Sequence, residues 1–103
     1  MTDKTIRRVN IVWQGDMRFV GGAPDGPTIP IDADNGIAPG PMQTLLIAAA
    51  TCTGADVVSI LKKMQVDLTR FEISVEGQRA TEHPRRYIQI QFVFRLKTNW
   101  IRI

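Results

Sequence analysis

The sequence predicts an α+β domain in which an antiparallel sheet packs against one long helix. Alternating apolar and polar residues near both ends of the chain are typical of strands with one buried face. Between them, the stretch from Pro41 contains no further proline until Pro84, and it carries an apolar segment of helical length. The 103 residues suffice for one domain, which we place at residues 1–103.

Two short strands are predicted near the N-terminus. The segment TIRRVNIVWQGD alternates, with Val9, Ile11 and Trp13 on one face, and indicates a half-buried strand. Residues 14–16 (QGD) supply a turn into a second strand near residues 17–20.

Glycine and proline separate the elements that follow. Residues 21–27, GGAPDGP, interrupt regular structure and predict a loop. Residues 28–32, TIPID, predict a third strand, at a sheet edge because Pro30 has no N–H for a strand ladder. Residues 33–40 predict another loop.

A long helix is predicted from Pro41 to about residue 64, since proline is tolerated in the first helical turn. Its first half is apolar on every side, which is typical of a helix buried all round. Lys62 and Lys63 near its C-terminus suit the helix dipole. The second half is amphipathic, with apolar residues Val57, Val58, Ile60, Leu61 and Met64.

Two further strands follow the helix. TRFEISVEGQ places Phe71, Ile73 and Val75 on one face, opposite glutamate and serine. A hairpin-type loop, residues 79–86, contains His83 and separates this strand from the last one. YIQIQFVFRLK places Ile88, Ile90, Phe92, Phe94 and Leu96 on one face.

The all-round apolar helix requires more cover than one sheet provides. A sheet covers one side of a helix, so the other side needs a second copy of the chain or residues that this chain lacks. We expect a homodimer with the two helices at its centre.

Composition narrows the class of protein. The formal charge of +3 is spread along the chain, so we expect no nucleic-acid partner. One cysteine and one histidine exclude an intrachain disulfide and a Cys/His zinc site within the chain, and no cofactor is expected. No signal-peptide pattern precedes residue 10, and the apolar run of residues 45–50 is far shorter than a membrane span. We therefore expect a cytoplasmic protein without a membrane partner.

Cys52 is open to two interpretations. Ala48, Ala49, Ala55 and Asp56 share its helix face, and small neighbours suit either close packing or the approach of a small ligand. Local physics favours a buried packing thiol, because a reactive one needs a positive neighbour or a helix N-terminus. Asp56 has the wrong sign, so catalysis requires an arginine or lysine from elsewhere in the fold.

The remaining polar candidates favour structural interpretations. His83 has no carboxylate at a spacing that would orient it, so a loop residue is favoured over a general base. Arg85 and Arg86 are more typical of a solvated turn than of a phosphate clamp. Gly21 and Gly22 lack the other glycines of a dinucleotide-binding loop.

A resemblance adds to these interpretations. Three features carry it: the spacing of Pro41 and Cys52, the run DVVSILKK at residues 56–63, and EHPR at residues 82–85 before the last strand. Together they resemble the OsmC/Ohr family of small bacterial proteins linked to peroxide and osmotic stress, over about residues 10–96.

The resemblance implies an intertwined homodimer, with a central helix packed on its mate and on the sheets. In the peroxidase branches of this family the helix cysteine attacks an organic hydroperoxide and becomes a sulfenic acid. A second cysteine on a later helix then forms a disulfide that a dithiol reductant reopens. Cys52 matches the attacking cysteine. The resemblance thus implies a stress-response protein with thiol-dependent hydroperoxide reduction. The alternative is a non-catalytic dimer that binds a small ligand, with Cys52 structural.

Three departures from the peroxidase pattern stand out. Met42 occupies the place of a glutamate that holds a catalytic arginine, which makes the chain more similar to a third, less characterised subgroup. Arg18 is the nearest candidate for that arginine. The chain ends in KTNWIRI without the helix that carries the second cysteine, so we expect the C-terminal segment to be missing. An external thiol or dithiol, or Cys52 of another chain, would then resolve the sulfenic acid.

Overall fold

The computed structural model describes residues 5–99 in full, together with the backbone of Trp100. The described residues form two compact units that divide between residues 44 and 45, with the helix beginning in the first. Both sheets are antiparallel and the connecting element is a single long helix, which confirms the α+β prediction. The elements are β1 (Asn10–Trp13), β2 (Arg18–Gly22), β3 (Thr28–Asp32), α1 (Pro41–Lys63), β4 (Val66–Arg79) and β5 (Tyr87–Trp100).

The first unit is a three-stranded sheet in the order β1-β2-β3. The third strand has the predicted bounds, and Pro30 lies in an edge strand as predicted. The prediction of a loop beginning at Gly21 is wrong, because Gly21 and Gly22 are the last residues of β2 and pair with strands on both sides. Pairing on two sides outweighs the weak local preference of glycine for strand. Gly21 also permits close contact, since a Cβ there would lie 3.3 Å from Ile11 Cγ1.

The first strand is more exposed than its alternation predicts. Val9, Ile11 and Trp13 are 64, 60 and 64% exposed, so the expected half-burial is wrong within one chain. Alternation shows which side chains lie on one face of a strand, but burial of that face requires a second layer of structure. A three-stranded sheet does not supply that layer itself. The sheet leaves apolar surface for another layer.

The helix begins as the sequence predicts. Pro41 is its first residue, and the Gln43 side chain accepts a hydrogen bond from the Gly40 N–H at 3.2 Å. This is the reciprocal half of a capping box, which satisfies a backbone donor that the helix itself leaves free. At the other end, Gln65 adopts φ 60° and its N–H bonds the Lys62 carbonyl at 3.1 Å, so the helix ends in a left-handed cap.

The second unit packs α1 on the hairpin of β4 and β5. Ile73 pairs with Phe94 and Phe71 with Leu96, which confirms the predicted apolar face. A Cβ at Gly54 would lie only 2.9 Å from Ile73 Cδ1, so this glycine lets the helix approach the sheet closely. The polar residues between these positions form the opposite face of the hairpin.

Burial of the helix within one chain is limited to the side that faces the hairpin. Ala50 and Gly54 are its buried residues. Leu45, Ile47 and Ile60 are each more than half exposed. The predicted central helix is therefore present. Its predicted burial on all sides is not achieved by the described residues of one chain.

The sequence predicted an apolar segment too short to span a membrane, and the length of the helix corrects this. Taken as a whole, its 23 residues are long and apolar enough to cross a membrane, with a mean hydropathy of 1.8 over 18 residues. The sequence prediction rested on the uninterrupted apolar run of residues 45–50, which is only part of the helix. One such helix is weak evidence for a membrane span, because the core helices of soluble proteins have the same length and composition.

Candidate functional site

Cys52 lies near the middle of α1, and its thiol is exposed in the chain. Gly54, two residues later, faces the hairpin and is buried. Successive helical residues are about 100° apart, so Cys52 and Gly54 lie on different sides of the helix. Cys52 therefore does not fill the interface between the helix and its own hairpin.

The hydroxyl groups beside Cys52 are committed to the helix backbone. Thr51 Oγ1 donates to the Ile47 carbonyl at 2.8 Å, and Thr53 Oγ1 contacts the Ala49 carbonyl at 3.4 Å. Each hydroxyl has one proton to donate, so neither threonine is a donor to a thiolate in this conformation. Among residues 5–99, no side chain forms a hydrogen bond or ion pair with the Cys52 thiol.

Arg18 is held locally in the first unit. Its Nη2 lies 3.1 Å from Asp16 Oδ2, in an ion pair that is exposed to solvent. Asp16 adopts φ 48° in the turn between β1 and β2, and its carbonyl accepts a hydrogen bond from Trp13 Nε1 at 2.8 Å. Arg18 thus lies in the first unit and Cys52 in the second.

Asp32 is a buried carboxylate that sequence analysis missed. The last residue of β3, it is 5% exposed, and its carboxylate accepts backbone N–H bonds from Asp34, Gly36 and Ile37 at 2.9, 3.1 and 3.0 Å. The Ile37 and Asp34 hydrogen bonds lower its pKa from 3.8, and Arg18 contributes in the same direction. An aspartate at the end of a strand, with DNG beginning two residues later, is the signal that could have found it.

This carboxylate shapes the segment that leads to α1. The Asp32 N–H also bonds the Pro39 carbonyl at 3.0 Å, so the two ends of the loop meet. Gly40 and the helix start follow directly. Asp32 is consequently a positioning residue for the beginning of the helix.

The other candidate residues lie apart from Cys52 in the sequence. Met42 is half-buried in the first turn of α1, ten residues before the cysteine. His83, Arg85 and Arg86 lie in the loop that joins β4 and β5. Within the part of the chain that the structure describes, no group of three or more His, Cys, Asp or Glu side chains is placed to hold a metal ion.

Comparison with known proteins identifies the family to which this fold belongs. The family model described as OsmC-like protein matches residues 33–100, which include the whole helix and hairpin. Solved structures share the fold: an OsmC like protein from Mycoplasma pneumoniae has a TM-score of 0.78 over 93% of this chain and 72% of its own, at 18% identity. A hypothetical protein from Aquifex aeolicus VF5 has a TM-score of 0.75 at 25% identity, over 88% of this chain and 66% of its own.

Curated relatives agree with the structural class. Protein YhfA of Escherichia coli K12 is 34% identical over 88 residues, and the match covers 84% of this chain and 66% of that protein. Protein YhfA of Shigella flexneri matches to the same extent. The chain thus spans about two thirds of the length of these relatives. It belongs to the OsmC-like family, as the resemblance implied.

Proposed function

We propose that the protein reduces organic hydroperoxides in a stress response, with Cys52 as the attacking thiol. One observation carries the proposal: the single cysteine of an OsmC-like chain is exposed at the middle of the central helix. Exposure is required because the peroxide must reach the sulfur. The small residues around Cys52 leave room for that approach.

An external thiol supplies the two electrons that reduce the peroxide in the proposed reaction. The Cys52 thiolate attacks one oxygen of the peroxide, the O–O bond breaks, and the alkoxide takes up a proton and leaves as an alcohol. Cys52 becomes a sulfenic acid, which condenses with a thiol to give a mixed disulfide and water. A second thiol then releases the Cys52 thiol and a disulfide product. Cys52 is the only cysteine of the 103 residues, so a small thiol, a dithiol or Cys52 of another chain would supply these equivalents.

Arg18 is the proposed cation for the thiolate. A guanidinium near the sulfur would favour the ionised nucleophile. Its ion pair with Asp16 is exposed, and exposed pairs stabilise by only about 0–1 kcal/mol, so this pair holds the arginine only weakly. Asp16→Asn should therefore leave turnover intact, whereas Arg18→Gln should lower it.

We further propose that two chains form a homodimer in the cytoplasm, without a membrane or nucleic-acid partner. The exposed apolar residues of α1, among them Leu45 and Ile60, are the support for this assembly. Burial of apolar surface is the main favourable contribution to most protein association, and a second helix provides a matching apolar surface. A second copy is thus the proposed cover for the exposed side of α1.

A turnover assay tests the proposed activity. Purified protein with dithiothreitol should consume tert-butyl and cumene hydroperoxide. Cys52→Ser should reduce consumption to the rate without protein, because it removes the only thiol. Thr53→Ser, a change beside Cys52 that keeps a hydroxyl, is the matched control and should retain the rate. Equal rates for wild type and Cys52→Ser would disprove the proposed activity.

The second candidate is a non-catalytic dimer that binds a small ligand. The observation that favours it is the absence, among residues 5–99, of a side chain bonded to the Cys52 thiol. An unassisted cysteine titrates near 8.5 and alkylates slowly at neutral pH. Iodoacetamide labelling of the folded protein against pH separates the candidates: an apparent pKa below about 7 supports catalysis, and one near 8.5 supports the binding protein.

A further inference from the structure

The loop between β4 and β5 forms a pocket that the proposed chemistry of Cys52 does not use. The pocket has a volume of about 360 Å³ and lies entirely in the second unit. Polar side chains from the end of β4 and from the loop contribute to its lining: Gln78, Arg79, Thr81, Glu82, His83 and Arg86.

Hydrogen bonds define the shape of this loop. The Ala80 N–H bonds the Arg86 carbonyl at 2.9 Å, which closes its neck, and the Arg86 N–H bonds the Pro84 carbonyl at 2.9 Å. Arg79 Nε donates to the Arg85 carbonyl at 2.9 Å. This bond anchors the Arg79 guanidinium through one nitrogen and leaves its two terminal nitrogens as donors.

The charges of the pocket are not neutralised by neighbouring side chains. Its lining carries two guanidinium groups, from Arg79 and Arg86, against the single carboxylate of Glu82. Within residues 5–99, neither guanidinium forms an ion pair, and the Glu82 carboxylate and His83 imidazole have no hydrogen-bond partner. Donors that lack a protein acceptor at a concave surface suit an anionic ligand.

The donor set favours phosphate over a carboxylate. The residues that line the pocket supply two guanidiniums, an imidazole and the Thr81 hydroxyl, from β4 and from different parts of the loop. A tetrahedral phosphate accepts bonds from several directions and carries up to two negative charges, whereas one planar fork satisfies a carboxylate. The basic groups are gathered at one pocket rather than along a stripe, which suits a small ligand better than a polynucleotide.

We propose that the β4–β5 loop pocket binds the phosphate group of a small phosphate monoester, with Arg79 and Arg86 as its principal ligands. Cys52 does not line the pocket, so the proposed binding requires no thiol chemistry. Glu82 opposes the charge of the ligand and thereby limits its affinity.

Isothermal titration of the full chain with phenyl phosphate at constant ionic strength tests the proposal. Arg86→Gln should weaken binding about tenfold or more, the loss expected for a charge-assisted hydrogen bond. Arg85→Gln is the matched control: it removes the same charge from the same loop, but Arg85 does not line the pocket and contributes there through its backbone carbonyl. It should change the affinity less than about threefold. Glu82→Gln should tighten binding.

Several results would overturn the proposal. Equal losses in Arg85→Gln and Arg86→Gln would indicate general charge attraction instead of a site. Absence of phenyl phosphate binding to the wild type would remove the ligand class. Binding of an oligonucleotide or of phosphatidic acid vesicles in its place would assign the basic loop to a macromolecular or lipid surface. Changes in amide chemical shift that are confined to residues 78–88 during the titration would support binding at the pocket. Changes found only outside these residues would contradict it.

Discussion

Asp32 joins the end of β3 to the start of α1 by receiving backbone hydrogen bonds from the loop between them. The alternation of the sequence predicts the strand, but it does not show which carboxylate organises the following loop. That role depends on three N–H groups turning back toward one side chain, a feature of loop conformation rather than of residue spacing. The sequence did identify the position of Cys52 on the helix, because the run of residues 41–63 has a clear helical character.

Replacement of Asp32 should destabilise the first unit. Asp32→Ala removes the acceptor of three backbone N–H groups, and we expect the melting temperature to fall by several degrees. Asp34→Ala is the matched control, because the Asp34 carboxylate receives no hydrogen bond from residues 5–99 and only its N–H is used. Thermal unfolding followed by circular dichroism measures both. A control as unstable as Asp32→Ala would contradict the assigned role.

The acid sensitivity of the fold should depend on the same residue. Hydrogen bonds lower the pKa of Asp32 in the folded chain from 3.8, so the unfolded chain binds the proton at higher pH than the folded one. The carboxylate therefore stabilises fully at neutral pH, and its contribution is lost as the pH falls below about 4. The difference in melting temperature between wild type and Asp32→Asn should shrink over that range. A difference that stays constant down to pH 2–3 would contradict this linkage.

At the scale of elements, the helix and the long hairpin were the most predictable parts. Proline at the first helical position and lysines in the last turn marked the bounds of α1. Alternation marked the apolar face of β4 and β5, and the register confirms it. The glycine end of β2 was not predictable in this way, since Gly21 and Gly22 are held in the strand by pairing with two neighbours that local sequence does not reveal.

The contact of α1 with the hairpin should be sensitive to size at Gly54. Gly54→Ala should be close to neutral, because the terminal methyl of Ile73 can move and alanine favours the helix by up to about 1 kcal/mol. Gly54→Val should destabilise by about 1–3 kcal/mol, since a branched side chain there overpacks the interface. Urea unfolding of the two variants measures the difference. A valine variant as stable as the alanine variant would show that the helix does not lie this close to the sheet.

At the scale of the whole molecule, the exposed apolar side chains of one chain call for a partner surface. The sequence predicted this need from the all-round apolar helix, and the exposure of Leu45, Ile47 and Ile60 in the single chain is consistent with it. Residues 5–99 leave them exposed, and neither the sequence pattern nor the described fold specifies what covers them.

The proposed dimer should dissociate when charge is placed on the exposed side of α1. Ile60→Lys puts an ammonium group where apolar contact with a second helix is proposed, and burial of an unpaired charge is strongly unfavourable. Sedimentation equilibrium should give a dimer for wild type and a monomer for this variant. Lys62→Gln, a change in charge on the same helix, should remain dimeric. A monomeric wild type would contradict the proposed assembly.

The central claim is that Cys52 reacts directly with a hydroperoxide. One equivalent of tert-butyl hydroperoxide added to the reduced protein, with dimedone present to trap a sulfenic acid, tests it without any reductant or turnover. Peptide mass spectrometry should locate the dimedone adduct on Cys52, and quenched samples should show that the free thiol is lost within seconds of peroxide addition at neutral pH. Loss of the thiol no faster than that of free cysteine under the same conditions would contradict the claim and leave Cys52 as an exposed structural residue.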